Sequence, residues 1–154
     1  MKIENRQKPS FCVIGKEGST RDGQGFIQKL WNEANARFAE VQLLAKRDAR
    51  GNLVGFWGVM SDHSRAFMPW EDNFSKGLYL AGVECVDDAQ APQGWTKWTV
   101  PGYEYICAEM DDENTFSAVL EYMHVHNIPL VGAVHDFTDP SNGKNYMYFP
   151  IRKI

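Results

Sequence analysis

Basic residues are too few and too scattered to make a nucleic-acid face. Sixteen Lys and Arg stand against twenty Asp and Glu in 154 residues, the net charge is −4, and no Lys/Arg run exceeds two. Phosphate contacts need a clustered basic surface, so this composition argues against DNA or RNA binding. Cysteine is scarce as well. Cys12, Cys85 and Cys107 are odd in number and far apart, with no CxxC pair, which argues against a disulfide framework or a structural zinc site and points to free thiols in a reducing compartment. No apolar run approaches the ~20 residues of a membrane span. The N-terminal MKIENRQKPS has no apolar h-region of a secretory signal, so a cytoplasmic location is expected. GxSxG, Walker, HExxH and GxGxxG motifs are all missing, and nothing calls for a cofactor or a metal. His124 and His126 lie two apart on a predicted helix and point to different faces, a poor metal pair.

What the chain does have is aromatic residues. Five Trp, six Tyr and nine Phe make up 13% of it, more than a core of this size requires and well suited to enclosing flat organic molecules. Charged residues at 23% and hydrophobic residues at 44% otherwise describe one globular domain.

The order of elements repeats. After a polar leader at 1–10, an apolar strand (FCVIG) is followed by a turn-rich stretch. Phe26, Leu30, Ala34, Phe38 and Val41 then recur every three or four residues, predicting an amphipathic helix of about four turns. Strands are read at 54–60 (VGFWGVM) and 78–86 (LYLAGVECV), and 87–94 (DDAQAPQG) reads as a connector. A strand with a Pro-Gly turn follows, then a helix opened by DDENT and striped by Phe116, Val119, Leu120 and Met123. Two strands, LVGAVHDF and NYMYFPI, close the chain around a TDPSNGK turn. Each half, about 11–86 and 95–154, is strand, helix, strand, strand. The expected fold is α+β: duplicated β-α-β-β modules in antiparallel sheets, with two main helices on one side and a ligand groove between the halves.

In this order a strand ending VIG, Leu30-Trp31 on a helix, GFWGVMSD, LYLAGVE, WTVPGYEYICAE, PLVGAVHDF, DPSNG and YMYFPI resemble the bacterial GyrI-like, AraC-type effector-binding domain family, from Phe11 to Ile154. The resemblance implies a duplicated fold with a groove that binds small aromatic, often cationic molecules. Many members are multidrug-binding parts of transcription regulators fused to DNA-binding domains. Others stand alone, and some hydrolyse cyclopropane-containing toxins. With 11–154 occupied by the two modules, a standalone sensor without direct nucleic-acid binding is the expectation here. The family often carries a Glu in a PxFExY strand, where this chain places Asp136, and a last strand EIYIPI, where Tyr146 replaces the acid while Tyr148 and Pro150 match.

Strand alternation then nominates site residues. Tyr146 and Tyr148 share a face, with Met147, Phe149 and Ile151 on the other, the side suited to helices. Tyr103, Tyr105, Cys107 and Glu109 share a face in YEYICAEM, making Glu109 the leading pocket carboxylate: a counter-charge for a cation or a general base. Glu84 and Asp136 are lesser candidates. Trp57, between Gly55 and Gly58, is either a pocket wall or a core residue, and Trp70 either a lid or a loop anchor. Tyr79 is placed in the same groove. The leading expectation is capture of small aromatic molecules by Trp57, Tyr79, Tyr105, Tyr146 and Tyr148, with Glu109 and Asp136 supplying negative charge. The alternatives are a hydrolase of strained electrophiles using Glu109 or Asp136, and a module that modulates a protein partner.

Overall fold

The computed structural model describes residues 2–154. Eight strands form one antiparallel sheet: β1 (Ile3–Lys8), β2 (Phe11–Ser19), β3 (Phe56–Ser61), β4 (Leu78–Cys85), β5 (Thr96–Val100), β6 (Tyr103–Glu109), β7 (His135–Thr138) and β8 (Asn145–Lys153). Their spatial order is β1-β6-β8-β7-β3-β4-β2-β5. Advancing every strand by four in sequence reproduces this order from the opposite edge. β1 and β5 each pair outside their own half: β1 adds to β6, and β5 adds to β2.

This topology forces the sheet to roll. β1 sits at one edge and β2 next to the other, yet only Pro9 and Ser10 separate them. Three Cα steps span at most about 11 Å, so the two edges must approach each other at that end. Pro101 and Gly102 join β5 to β6 under the same constraint. Gly15 and Gly82 face each other across β2 and β4 where the strands come close. A Cβ on Gly82 would lie 2.1 Å from the Ile14 carbonyl oxygen, and one on Gly15 would lie 2.3 Å from that of Ala81.

The helices cover one face. α1 (Phe26–Ala36) packs Leu30 onto Tyr79 and Ala81, while Ala34 joins Cys12, Ile14 and Val83. α3 (Thr115–Val125) packs Val119 and Met123 onto Ile106, Ala108, Met147 and Phe149. A one-turn α2 (Glu71–Phe74) contains left-handed Asp72 and Asn73. The other face carries a buried cluster to which no helix contributes: Phe11, Val13, Trp57, Val59, Leu78, Leu80, Trp98, Val100, Tyr103, Tyr105, Cys107, Phe137 and Tyr148.

Three expectations are corrected. Ile3–Lys8, read as leader, is an edge strand; its polar sequence suits a strand paired on one side only. The helix expected through Val41 ends at Ala36, and two 3-10 turns carry Phe38 and Val41 to the sheet. The strands form a single sheet, because β3 pairs with β7 across its middle.

Candidate functional site

The rolled sheet collects aromatic rings on its helix-free face. Trp57 lies at the centre of the cluster, with ring centroids 4.7 Å from Phe11, 4.5 Å from Phe137 and 5.0 Å from Tyr148. Tyr105 lies edge-on to Tyr148 at 5.3 Å and to Tyr103 at 5.8 Å, and Phe67 lies edge-on to Trp98 at 5.9 Å. Tilted and edge-to-face contacts of this kind fix ring positions beyond simple area burial. Tyr146 packs its ring 6.2 Å from Phe137 and is only half-buried. It borders an open depression of about 400 Å³ lined also by Arg6, Cys107, Glu109 and Lys144.

Two polar atoms stand out inside this face. Tyr105 Oη and His135 Nε2 are buried and have no hydrogen-bond partner among the described residues. Their rings are 6.5 Å apart. His135 Nδ1 accepts the Met60 backbone N–H at 3.1 Å, which leaves the ring proton on Nε2. Burial holds His135 neutral, its pKa pushed down to about 3, and burial pushes the Tyr105 hydroxyl well above its ordinary range. Buried polar groups are nearly always paired, so two orphans in one aromatic cluster set this part of the interior apart from the rest of the core.

Of the seven predicted ligand-binding residues, Trp57, Tyr105 and Tyr148 lie within this cluster, and Tyr146 packs against it. Glu109 follows the alternation of Tyr105 and Cys107 and reaches the rim, where Lys144 Nζ pairs with it at 3.2 Å. Tyr79 and Asp136 are on the opposite, helix-covered face. The Tyr79 hydroxyl donates to Asp136 Oδ2 at 3.1 Å and accepts the Trp31 indole N–H from α1 at 3.1 Å. Desolvation lifts Asp136 to about 6, with the Tyr79 hydrogen bond acting the other way, and drives the Tyr79 hydroxyl well up. Asp136 is turned away because β7 places its even-numbered residue toward the helices; the residue facing the rings is His135. Trp70 donates its indole N–H to the Leu78 carbonyl at 2.9 Å and stacks on Phe26, a loop anchor on the helix side. Cys107 is a buried thiol pushed up to about 12 by desolvation, which removes its nucleophilic form at neutral pH.

Glu84, a lesser candidate alongside Asp136, lies on the ring-bearing face. Its side chain is 4% exposed on the aromatic face, and Oε1 accepts the Trp57 indole N–H at 3.0 Å. Lys8 Nζ lies 3.2 Å from Oε1 and 3.3 Å from Oε2. The missed residues are Lys8, Arg6, Phe11 and His135. For His135 the sequence held half a signal: alternation puts it on the same face as Phe137, and only the packing of the sheet shows that this face bears the rings.

A second depression, about 200 Å³, lies on the helix side among Met60, Trp70, Phe74, Phe116 and Met147. It contains no charged side chain, in contrast to the site across the sheet.

Solved structures share the fold. SAV2435, solved bound to tetraphenylphosphonium, superposes with a TM-score of 0.71 at 18% identity, over 99% of this chain and 94% of that one. The EcmrR C-terminal domain matches with a TM-score of 0.63 at 10% identity, over 99% and 98% of the two chains. A hydrolase from Listeria innocua matches with a TM-score of 0.55 at 13% identity, over 97% and 91%. No family model matches the chain, and no curated relative matches it. The chain has the fold of the GyrI-like effector-binding domains. Among the described residues no helix is long and apolar enough to cross a membrane.

Proposed function

We propose that the helix-free face is a cleft that captures small aromatic molecules carrying a hydrogen-bond acceptor, and that the protein serves as a cytoplasmic ligand sensor. The observation that carries this reading is the pair of unpartnered buried groups, Tyr105 Oη and His135 Nε2, within a cluster of rings. Rings supply stacking area at low entropic cost, and a neutral imidazole N–H and a phenol supply orientation. Tyr146 and the depression beside it form the mouth; Tyr148, Tyr105 and Trp57 form the interior walls. The self-mapping strand order supports descent of the two halves from one β-α-β-β module, with the cleft built where the halves meet. SAV2435, with an aromatic cation bound on the same fold, is consistent with this class of ligand.

The test is a tryptophan-fluorescence titration with a neutral planar probe such as 2-naphthol, with tetraphenylphosphonium and with a cyclopropane-bearing electrophile, with product analysis on the same samples. Saturable quenching without product, weakened at least tenfold by Tyr148→Ala, is expected. Conversion of a strained electrophile that is lost in Glu109→Gln would replace this reading with a hydrolase. No response to any probe would refute the cleft.

A further inference from the structure

β1 threads two cations across the aromatic face. Strand alternation turns Glu4, Arg6 and Lys8 to one side, and that side is the cleft: Arg6 Nη1 donates to the Tyr148 hydroxyl at 3.4 Å, and Lys8 Nζ reaches Glu84. The Lys8 ammonium sits 4.5 Å from the centroid of the Phe11 ring and 5.6 Å from that of Trp57, within the range in which a ring face attracts a cation. Both Glu84 carboxylate oxygens lie within 3.3 Å of it. Two aromatic faces and a buried carboxylate oriented by an indole N–H make a complete receptor for an ammonium group.

The two partners are held very differently. Glu84 is on β4, paired on both sides in the middle of one half of the sheet, and its carboxylate is buried. Lys8 is the last residue of an edge strand paired only to β6, its side chain is 27% exposed, and it enters from the solvent side. Lys46 Nζ stands at 4.0 Å on a side chain 51% exposed, at the rim rather than in the cage. The carboxylate is therefore permanent and its counter-ion is removable. A buried carboxylate that loses its nearer cation keeps only Lys46 at 4.0 Å and favours a second close partner, because desolvated charge that is poorly paired is strongly unfavourable.

We propose that Phe11, Trp57 and Glu84 form a binding site for a small primary ammonium, and that Lys8 occupies it as a tethered competitor. An incoming alkyl- or arylalkyl-ammonium displaces the Lys8 head group from Glu84 and takes its place against the two rings. This inference rests on the reading of the helix-free face as a ligand cleft.

The experiment is chemical rescue. Lys8→Ala removes the tethered cation together with its stem, and Lys8→Met keeps the stem and removes only the charge. Melting temperatures are recorded with n-butylammonium chloride, with sodium chloride at equal ionic strength, and with 1-butanol. Lys8→Ala is expected to melt below wild type and to recover in a saturable way with butylammonium but not with sodium or butanol. In a direct titration, both variants should bind phenethylammonium at least tenfold more tightly than wild type. Adding Glu84→Gln to Lys8→Ala should abolish both effects. If both single variants fold and neither binds the ammonium better than wild type, the competitor role is wrong. The 2-naphthol titration separates the two readings: naphthol binding without ammonium binding overturns the cage alone, and loss of both overturns the cleft as well. Should Lys8→Ala not fold, Lys8→Met decides the question alone.

Discussion

His135 and Asp136 are neighbours in sequence that the sheet sends to opposite faces, and their pH dependences have opposite signs. His135 titrates near 3 in the folded chain against an ordinary value of 6.5, so between these values the unfolded chain holds the extra proton and stability rises with pH. Asp136 titrates near 6 against 3.8, so between those values the folded chain holds the extra proton and stability falls with pH. From about pH 4 to 6 the two oppose one another and mask each other in wild type. The His135→Gln variant removes one of them. The wild-type minus variant difference in unfolding free energy should rise by about 1.4 kcal/mol per pH unit from pH 4 to 6 and level off above 6.5. Urea melts at half-unit pH steps measure this, and a flat difference would mean that the imidazole is hydrated. The face of Asp136 was not legible because AVHDF is apolar on both sides of the strand, and alternation alone cannot say which side holds the rings.

At the scale of elements, the narrow point of the β2–β4 pair decides whether the sheet can roll. Gly82→Ala places a methyl group 2.1 Å from the Ile14 carbonyl oxygen and 2.7 Å from Gly15 Cα, both backbone, so no rotamer change relieves it. The variant should lose about 3 kcal/mol or more in urea unfolding, with the slope of the transition preserved. A loss under 1 kcal/mol would mean that the strands separate there at little cost. Elements were legible where one face of a strand differs from the other. In YEYICAEM and NYMYFPI the tyrosines alternate with residues that pack on helix, and the structure puts Tyr105 and Tyr148 on the ring-bearing face and Met147 and Phe149 beneath α3. β4 gave no such contrast: all eight of its residues are buried, which hid Tyr79 behind the sheet and Glu84 in front of it. β1 was unreadable for the reverse reason. IENRQK has almost no apolar residues, and only the curl that brings Lys8 beside Glu84 gives its charges a destination.

At the scale of the molecule, the strand order makes each half depend on the other. Cutting the chain at residue 90, inside the 87–94 connector, would leave β1 without β6 in one fragment and β5 without β2 in the other. Fragments 1–90 and 91–154 should each melt without a cooperative transition. Mixed at equal concentration they should regain one, with a midpoint that rises with concentration. A cooperative melt of either fragment alone would refute the dependence. The order β1-β6-β8-β7-β3-β4-β2-β5 thus has the logic of an arm-exchanged dimer tied into a single chain. The Pro9–Ser10 joint is the hinge of one arm, and Pro101–Gly102 is the hinge of the other. The arm that locks the first half onto the second is the same strand that carries Lys8 to Glu84. Whatever draws Lys8 off Glu84 therefore acts on the arm that closes the molecule, because the ion pair and the seam between the halves share one strand.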